Sequence, residues 1–87
     1  METLRIQHDG DSAEFGLFGG QLLRWQAGGR ERLFLSPRAV LDGSAAIRGG
    51  VPVIFPQFNA RGPFARHGFA RTQRWQLREH LADRLLL

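Results

Sequence analysis

The amino-acid sequence predicts an all-β, antiparallel fold on three observations. Apolar and polar residues alternate with a period of two in several short runs. Glycine-rich pairs interrupt those runs where hairpin turns belong. The stretches between are rich in Gly and Pro, which disfavour regular helix.

The first strand is read at Leu4, Ile6 and His8, alternating with Arg5 and Gln7. Asp9-Gly10-Asp11 is a turn signal. Glu14-Phe15-Gly16-Leu17-Phe18 reads as a second strand, and Gly19-Gly20 marks a two-residue hairpin or a bulge. Gln21 to Gln26 is a third strand, with Leu23 and Trp25 on one face. Ala27-Gly28-Gly29-Arg30 is the next turn, and Arg32 to Ser36 a fourth strand halted by Pro37.

From Arg38 to Thr72 the pattern changes. Gly43, Gly49, Gly50, Gly62 and Gly68 are interspersed with Pro52, Pro56 and Pro63, yet Ile47, Val51, Val53, Ile54 and four Phe keep the stretch apolar. It is too apolar for a solvated linker and too rich in Gly and Pro for a regular element. A long ordered loop of this kind is usually functional. Order resumes at Arg74 to Leu81, where Trp75, Leu77 and Glu79 share a strand face, with a short helix as the alternative. The closing Leu85-Leu86-Leu87 resembles an interrupted strand. Trp25 and Trp75 read as anchors of an inter-sheet core, and most of the seven Phe as packing residues.

Length and composition bound the function. Eighty-seven residues allow one small domain at most, and 43% apolar residues exclude a generic disordered tail. No apolar stretch is long enough for a transmembrane helix, and no secretory signal is visible, so no membrane association is expected. The absence of Cys excludes a disulfide framework and a thiolate metal site, and fits a cytoplasmic location. No His and carboxylate residues have metal-ligand spacing, so no metal is expected. Eleven Gly and no staple mark the chain as marginal by itself or as part of something larger. The net charge of +4, carried entirely by Arg, raises the question of nucleic acid. One RGG triplet without an RNA-binding signature is weak ground, and no nucleic-acid partner is expected.

Two blocks carry a resemblance. Ala46-Ile47-Arg48-Gly49-Gly50-Val51-Pro52-Val53-Ile54-Phe55-Pro56-Gln57-Phe58 and His67-Gly68-Phe69-Ala70-Arg71-Thr72 together resemble the aldose 1-epimerase-like family, in its glucose-6-phosphate 1-epimerase branch. Phe18 to Trp25 and Leu33 to Ser36 resemble the same branch in the same order. The resemblance implies an antiparallel β-sandwich of the galactose mutarotase type. It implies an isomerase that exchanges the α and β anomers of hexose 6-phosphates without a cofactor. Such a sandwich needs more strands than are readable here, so residues 1–87 are expected to be the N-terminal part of one such domain.

Mutarotation requires one group to take the anomeric hydroxyl proton and another to protonate the ring oxygen. The resemblance implies that this pair lies beyond the His67 block, so no catalytic residue is expected within the chain. What it does imply is substrate binding by Arg48 and Arg71, in a setting where a phosphate dianion suits the planar, permanently charged fork of Arg. Gly49 and Gly50 would let backbone N–H groups approach an anion. Arg66 stands where the family often has Gln in contact with substrate, keeping a donor and adding charge. Asn59 stands where Gly is frequent, and Asn tolerates a positive φ. Each candidate also has a plain structural reading: Arg48 as a surface residue of a Gly turn, Arg71 as a stem lying over Phe69 and Trp75. His67 reads as a hydrogen-bonded structural residue and not as the general base.

Overall fold

The computed structural model describes residues 2–87. A four-stranded antiparallel sheet is built in chain order from β1 (Thr3–His8), β2 (Asp11–Gly16), β3 (Gln21–Ala27) and β4 (Arg30–Glu31). A single turn of 3-10 helix follows at Ala70–Thr72, and β5 (Glu79–His80) pairs with β6 (Leu85–Leu86) in a second, smaller sheet.

The hairpins form where the sequence placed its turn residues. Asp9 and Gly10 both adopt positive φ, 49° and 86°, and join His8 to its partner Asp11. Gly28 and Gly29, at 60° and 74°, do the same between Ala27 and Arg30. Two left-handed residues in a two-residue loop match the twist of the flanking strands. The β2–β3 connection is longer than the expected two residues, running from Leu17 to Gly20. Glu14 faces Arg24 but Phe15 faces Leu22, so Leu23 is the extra residue of a β-bulge.

Register then separates two faces. Leu4, Ile6, Ala13, Phe15 and Trp25 line one side through the pairs Leu4–Phe15, Ile6–Ala13 and Ala13–Trp25. Arg5, Ser12, Glu14, Arg24 and Gln26 line the other, where Arg24 and Glu14 approach within 3.9 Å. The C-terminal hairpin is tied to β1 by the Gln7 N–H donating to the Ala82 carbonyl at 2.7 Å. Leu85 and Leu87 line a groove there with Ile6 and Phe15. Leu17, Leu23, Ile47 and Ala70 are the buried apolar residues among those described.

Four expectations are corrected. The second strand starts at Asp11 and ends at Gly16, earlier than expected, because pairing begins directly at the Asp9-Gly10 turn. The fourth strand is only Arg30–Glu31. There the Glu31 carboxylate accepts the backbone N–H groups of Trp25, Arg32 and Leu33 at 2.9, 3.1 and 3.2 Å. That local bond turns the chain off the ladder before Leu33. The run from Arg74 to Leu81 is not one strand: Arg74 bridges Phe18, and regular pairing returns only at Glu79. Trp25 is 45% exposed and anchors no core: it lines an open groove with Ile6, Ala13 and Asp83 of the C-terminal hairpin, and no second layer covers it among the described residues. Trp75 is the more buried of the two. It is half-buried, donates its indole N–H to the Ala70 carbonyl at 3.0 Å, and packs against Gly20, where a Cβ would lie 2.7 Å from its ring.

Candidate functional site

The Arg48 segment is held from both sides by backbone. On one side the Ser36 N–H donates to the Arg48 carbonyl at 2.9 Å, and the Gly50 N–H donates to the Phe34 carbonyl at 2.7 Å. On the other, Leu22 and Val51 exchange both backbone bonds, at 3.2 and 2.8 Å. The segment is thus wedged between β3 and residues 34–36. Only glycine fits there: at Gly50 (φ 65°) a Cβ would run into the Leu22 carbonyl, and at Gly49 into Phe34 and Leu35. The Gly50 N–H is committed to Phe34, so this glycine serves close backbone packing and not the expected anion approach. The Arg48 side chain itself is exposed and makes no hydrogen bond or ion pair among the described residues.

The second block is brought beside the first through the loop that joins them. Phe55 bridges Gly68 in parallel, and the Phe55 carbonyl accepts the N–H groups of Phe69 and Ala70 at 3.0 and 3.1 Å. Arg71 sits in the 3-10 turn, with its backbone carbonyl against Gly19, where a Cβ would lie 2.6 Å away. Its Nη2 donates to the Arg66 carbonyl at 3.2 Å, and its Nε is buried without a partner. Arg66 and Arg71 are therefore adjacent, while no hydrogen bond links Arg48 to either. The Arg66 side chain is exposed.

Residues 57–67 form an internally bonded loop. The buried Gln57 amide donates to the carbonyls of Asn59 and Phe64 at 2.9 and 3.0 Å, and accepts the Phe64 N–H at 2.8 Å. His67 and Asn59 bind each other reciprocally. The Asn59 N–H donates to His67 Nδ1 at 2.9 Å, and the His67 N–H donates to the Asn59 carbonyl at 3.0 Å. Both residues hold positive φ, 63° and 51°. An Nδ1 that accepts a bond leaves the neutral ring its proton on Nε2. His67 is thus a fixed structural residue that presents a donor, in line with the expectation.

Few of the arginines are paired with a carboxylate among the described residues. Arg24, Arg74 and Arg84 each have a carboxylate partner, in Glu14, Glu2 and Glu79. Arg48, Arg66 and Arg71 have none among the described residues, and neither do Arg5, Arg30, Arg32, Arg38, Arg61 and Arg78. The two carboxyls with a displaced pKa lie in other turns. Glu31 is held below its ordinary value chiefly by the Trp25 N–H, and Asp42 chiefly by the Ser44 hydroxyl. No cluster of three His, Asp or Glu suited to a metal ion occurs among the described residues, and no helix there is long and apolar enough to cross a membrane. The sequence reading missed Gln21 and Gln57, both buried amides bonded to backbone, Gln21 to Gly49 far along the chain and Gln57 to Asn59 and Phe64 within its own loop. A Gln followed by Leu-Leu, or preceded by Phe-Pro, carries no local signal of burial.

The antiparallel strands and glycine-wedged loops superpose on part of β-sandwich structures of the mutarotase type. Residues 2–86 match the aldose 1-epimerase family, and the chain belongs to it. It is 46% identical over 66 residues to a protein of Cenchrus ciliaris named "putative glucose-6-phosphate 1-epimerase", covering 75% of this chain and 20% of that one. An Escherichia coli K12 protein of the same name is 39% identical over 89 residues, covering 95% and 29%. The crystal structure of a Salmonella typhimurium protein described as a "putative mutarotase" superposes with a TM-score of 0.77 at 36% identity, covering 88% of this chain and 27% of that one. The chain spans a fifth to three tenths of the length of these relatives.

Proposed function

We propose that this chain is the N-terminal part of a hexose-6-phosphate mutarotase domain and supplies its phosphate- and sugar-binding arginines. The observation that carries the reading is Arg48, exposed on its glycine wedge, together with Arg71, whose guanidinium meets no carboxylate and whose Nε is buried without a partner. Both lie in the blocks that resemble the family, and the relatives' names point to glucose 6-phosphate. The Arg71 guanidinium commits only Nη2, to the Arg66 carbonyl, and its remaining terminal N–H groups could take a dianion through charge-assisted bonds. The structural reading of Arg71 as a stem over aromatic rings explains its burial but not the unpartnered Nε. Arg66 would add donors for the phosphate or for a sugar hydroxyl. The proton-transfer pair falls, in this reading, to strands outside these 87 residues, so the chain binds and orients while other residues move protons between the anomeric hydroxyl and the ring oxygen.

An NMR titration of the chain with glucose 6-phosphate, with glucose as the control, tests this. Arg48 and Arg71 resonances should shift with the phosphorylated sugar alone. Arg48→Ala and Arg71→Ala should each weaken that binding roughly tenfold to a hundredfold, the worth of a hydrogen bond to a charged group. Equal losses for both sugars would remove the phosphate role. No shift at millimolar ligand would overturn the reading.

A further inference from the structure

Gln21 is the most buried side chain described, at 1% exposure, and it is polar. Its Nε2 lies 2.5 Å from the Gly49 carbonyl and 3.5 Å from the Ile47 carbonyl, the two groups that flank Arg48 in the chain. Its Oε1 is buried with no partner. The two carbonyls fix which end of the amide faces them, because an oxygen placed there would meet two acceptors. A buried amide with one unmet acceptor is a poor choice for stability alone, since an apolar side chain of that volume would leave no such debt. The site is also tight: a Cβ on Gly50 would lie 3.4 Å from Gln21 Nε2.

We infer that Gln21 is a positioning residue for Arg48. Residues 34–36 hold the outer side of the 48–50 backbone, and Gln21 holds the inner side through the Gly49 carbonyl. With both sides clamped, the peptide on each side of Arg48 cannot rotate, and the side chain projects from a fixed base toward solvent. An Arg on a free Gly-Gly turn would lose more conformational entropy on binding an anion. The inference rests on the sugar-phosphate reading of Arg48 and adds to it the residue that presents that guanidinium.

A double-variant cycle on the whole chain, with glucose 6-phosphate as the probe, tests it. Gln21→Met keeps the volume and removes the donors; Gln21→Glu keeps the shape and, ionised, also removes them. Each should weaken binding about fivefold or more. The pair Gln21→Met with Arg48→Ala should bind no more weakly than Arg48→Ala alone, because Gln21 acts through Arg48. Losses that multiply in the double variant would overturn the inference. So would unchanged affinity in Gln21→Met when Arg48→Ala is weakened, and that result would leave the sugar-phosphate reading standing. If the unsubstituted chain binds no glucose 6-phosphate, that reading fails first. Collapse of the fold in both Gln21 variants would also overturn the inference, since it would make Gln21 a core residue. In the unsubstituted chain, the Gln21 side-chain amide protons should exchange slowly with solvent; rapid exchange would remove the clamp.

Discussion

Glu31 is fully exposed, yet its carboxylate ends a strand. It accepts three backbone N–H groups, from Trp25, Arg32 and Leu33, and these hold its pKa below the ordinary 4.5, with the Trp25 bond the largest cause. A carboxyl with a lowered folded pKa contributes stability that is fully present above its unfolded pKa and is lost as pH falls through the folded value. The β3–β4 hairpin should therefore keep its protected Trp25 and Leu33 amides at neutral pH and release them in acid, below the usual carboxylate range. Glu31→Gln should expose both amides already at neutral pH and remove the acid step. Amide exchange followed from pH 7 to pH 3 reads this, and an unchanged acid step in the variant would refute it. The same residue shows where sequence reading stops. Nothing about Glu in an Arg-Glu-Arg triplet says that it will bend the chain, because Trp25, the partner with the largest effect, becomes a neighbour only after the Gly28-Gly29 turn closes. His67 and Asn59 were more legible, since a His among Gly and Phe and an Asn at a turn each have an ordinary structural use, and here they meet each other.

At the scale of elements, the hairpins were readable because their signals are local. Asp9-Gly10 and Gly28-Gly29 have the residues that left-handed turns require, and both turns form there. The strand ends were not, because pairing depends on partners that local alternation does not name. Leu33 and Leu35 alternate like a strand, yet Leu35 finds its partner in Gly49, fourteen residues away. The same long-range pairing built the candidate site. The Arg48 and Arg71 blocks were legible as motifs, but the wedge between β3 and residues 34–36 was not, nor was the Gln21 clamp. The wedge makes a strong claim about Gly50, whose φ of 65° and contact with the Leu22 carbonyl leave no room for a side chain. Gly50→Ala should destabilise the fold by about 1–3 kcal/mol, the range for a strained non-Gly residue in the left-handed region. Gly29→Ala is the control: its φ is also positive, at 74°, but its Cβ would meet nothing within 4 Å. Denaturant unfolding should place Gly50→Ala clearly below Gly29→Ala, and equal losses would dissolve the wedge.

The whole molecule is more open than its mass requires. Its accessible surface is 6122 Å², against about 5,200 Å² for a compact globule of this mass. Its radius of gyration is 13.6 Å, against about 12 Å for a chain of this length. Trp25 at 45%, Phe34 at 72% and Phe55 at 61% exposure belong to the surplus. Trp25 continues the apolar face of the sheet into an open groove that the C-terminal hairpin borders only with Asp83. The relatives are between three and four times as long, and a sandwich is stable only when each apolar sheet face meets another layer. The open part of the face should therefore accept the strands by which the relatives exceed this chain. Co-expression with the segment of the Escherichia coli relative that follows its aligned stretch tests this. The two pieces should co-purify one to one, suppress binding of an apolar dye, and move Trp25 emission to shorter wavelength, which a Trp25→Phe variant would verify. Trp25→Arg should weaken the association at least tenfold, since burying an unpaired charge in that layer costs more than the ring contributes. Faster anomer exchange of glucose 6-phosphate by the reassembled pair would join the fold to the proposed activity. A stable pair of two copies of this chain, or pieces that stay apart with Trp25 still in water, would show that this face serves another contact and that the sandwich layer has to be sought elsewhere.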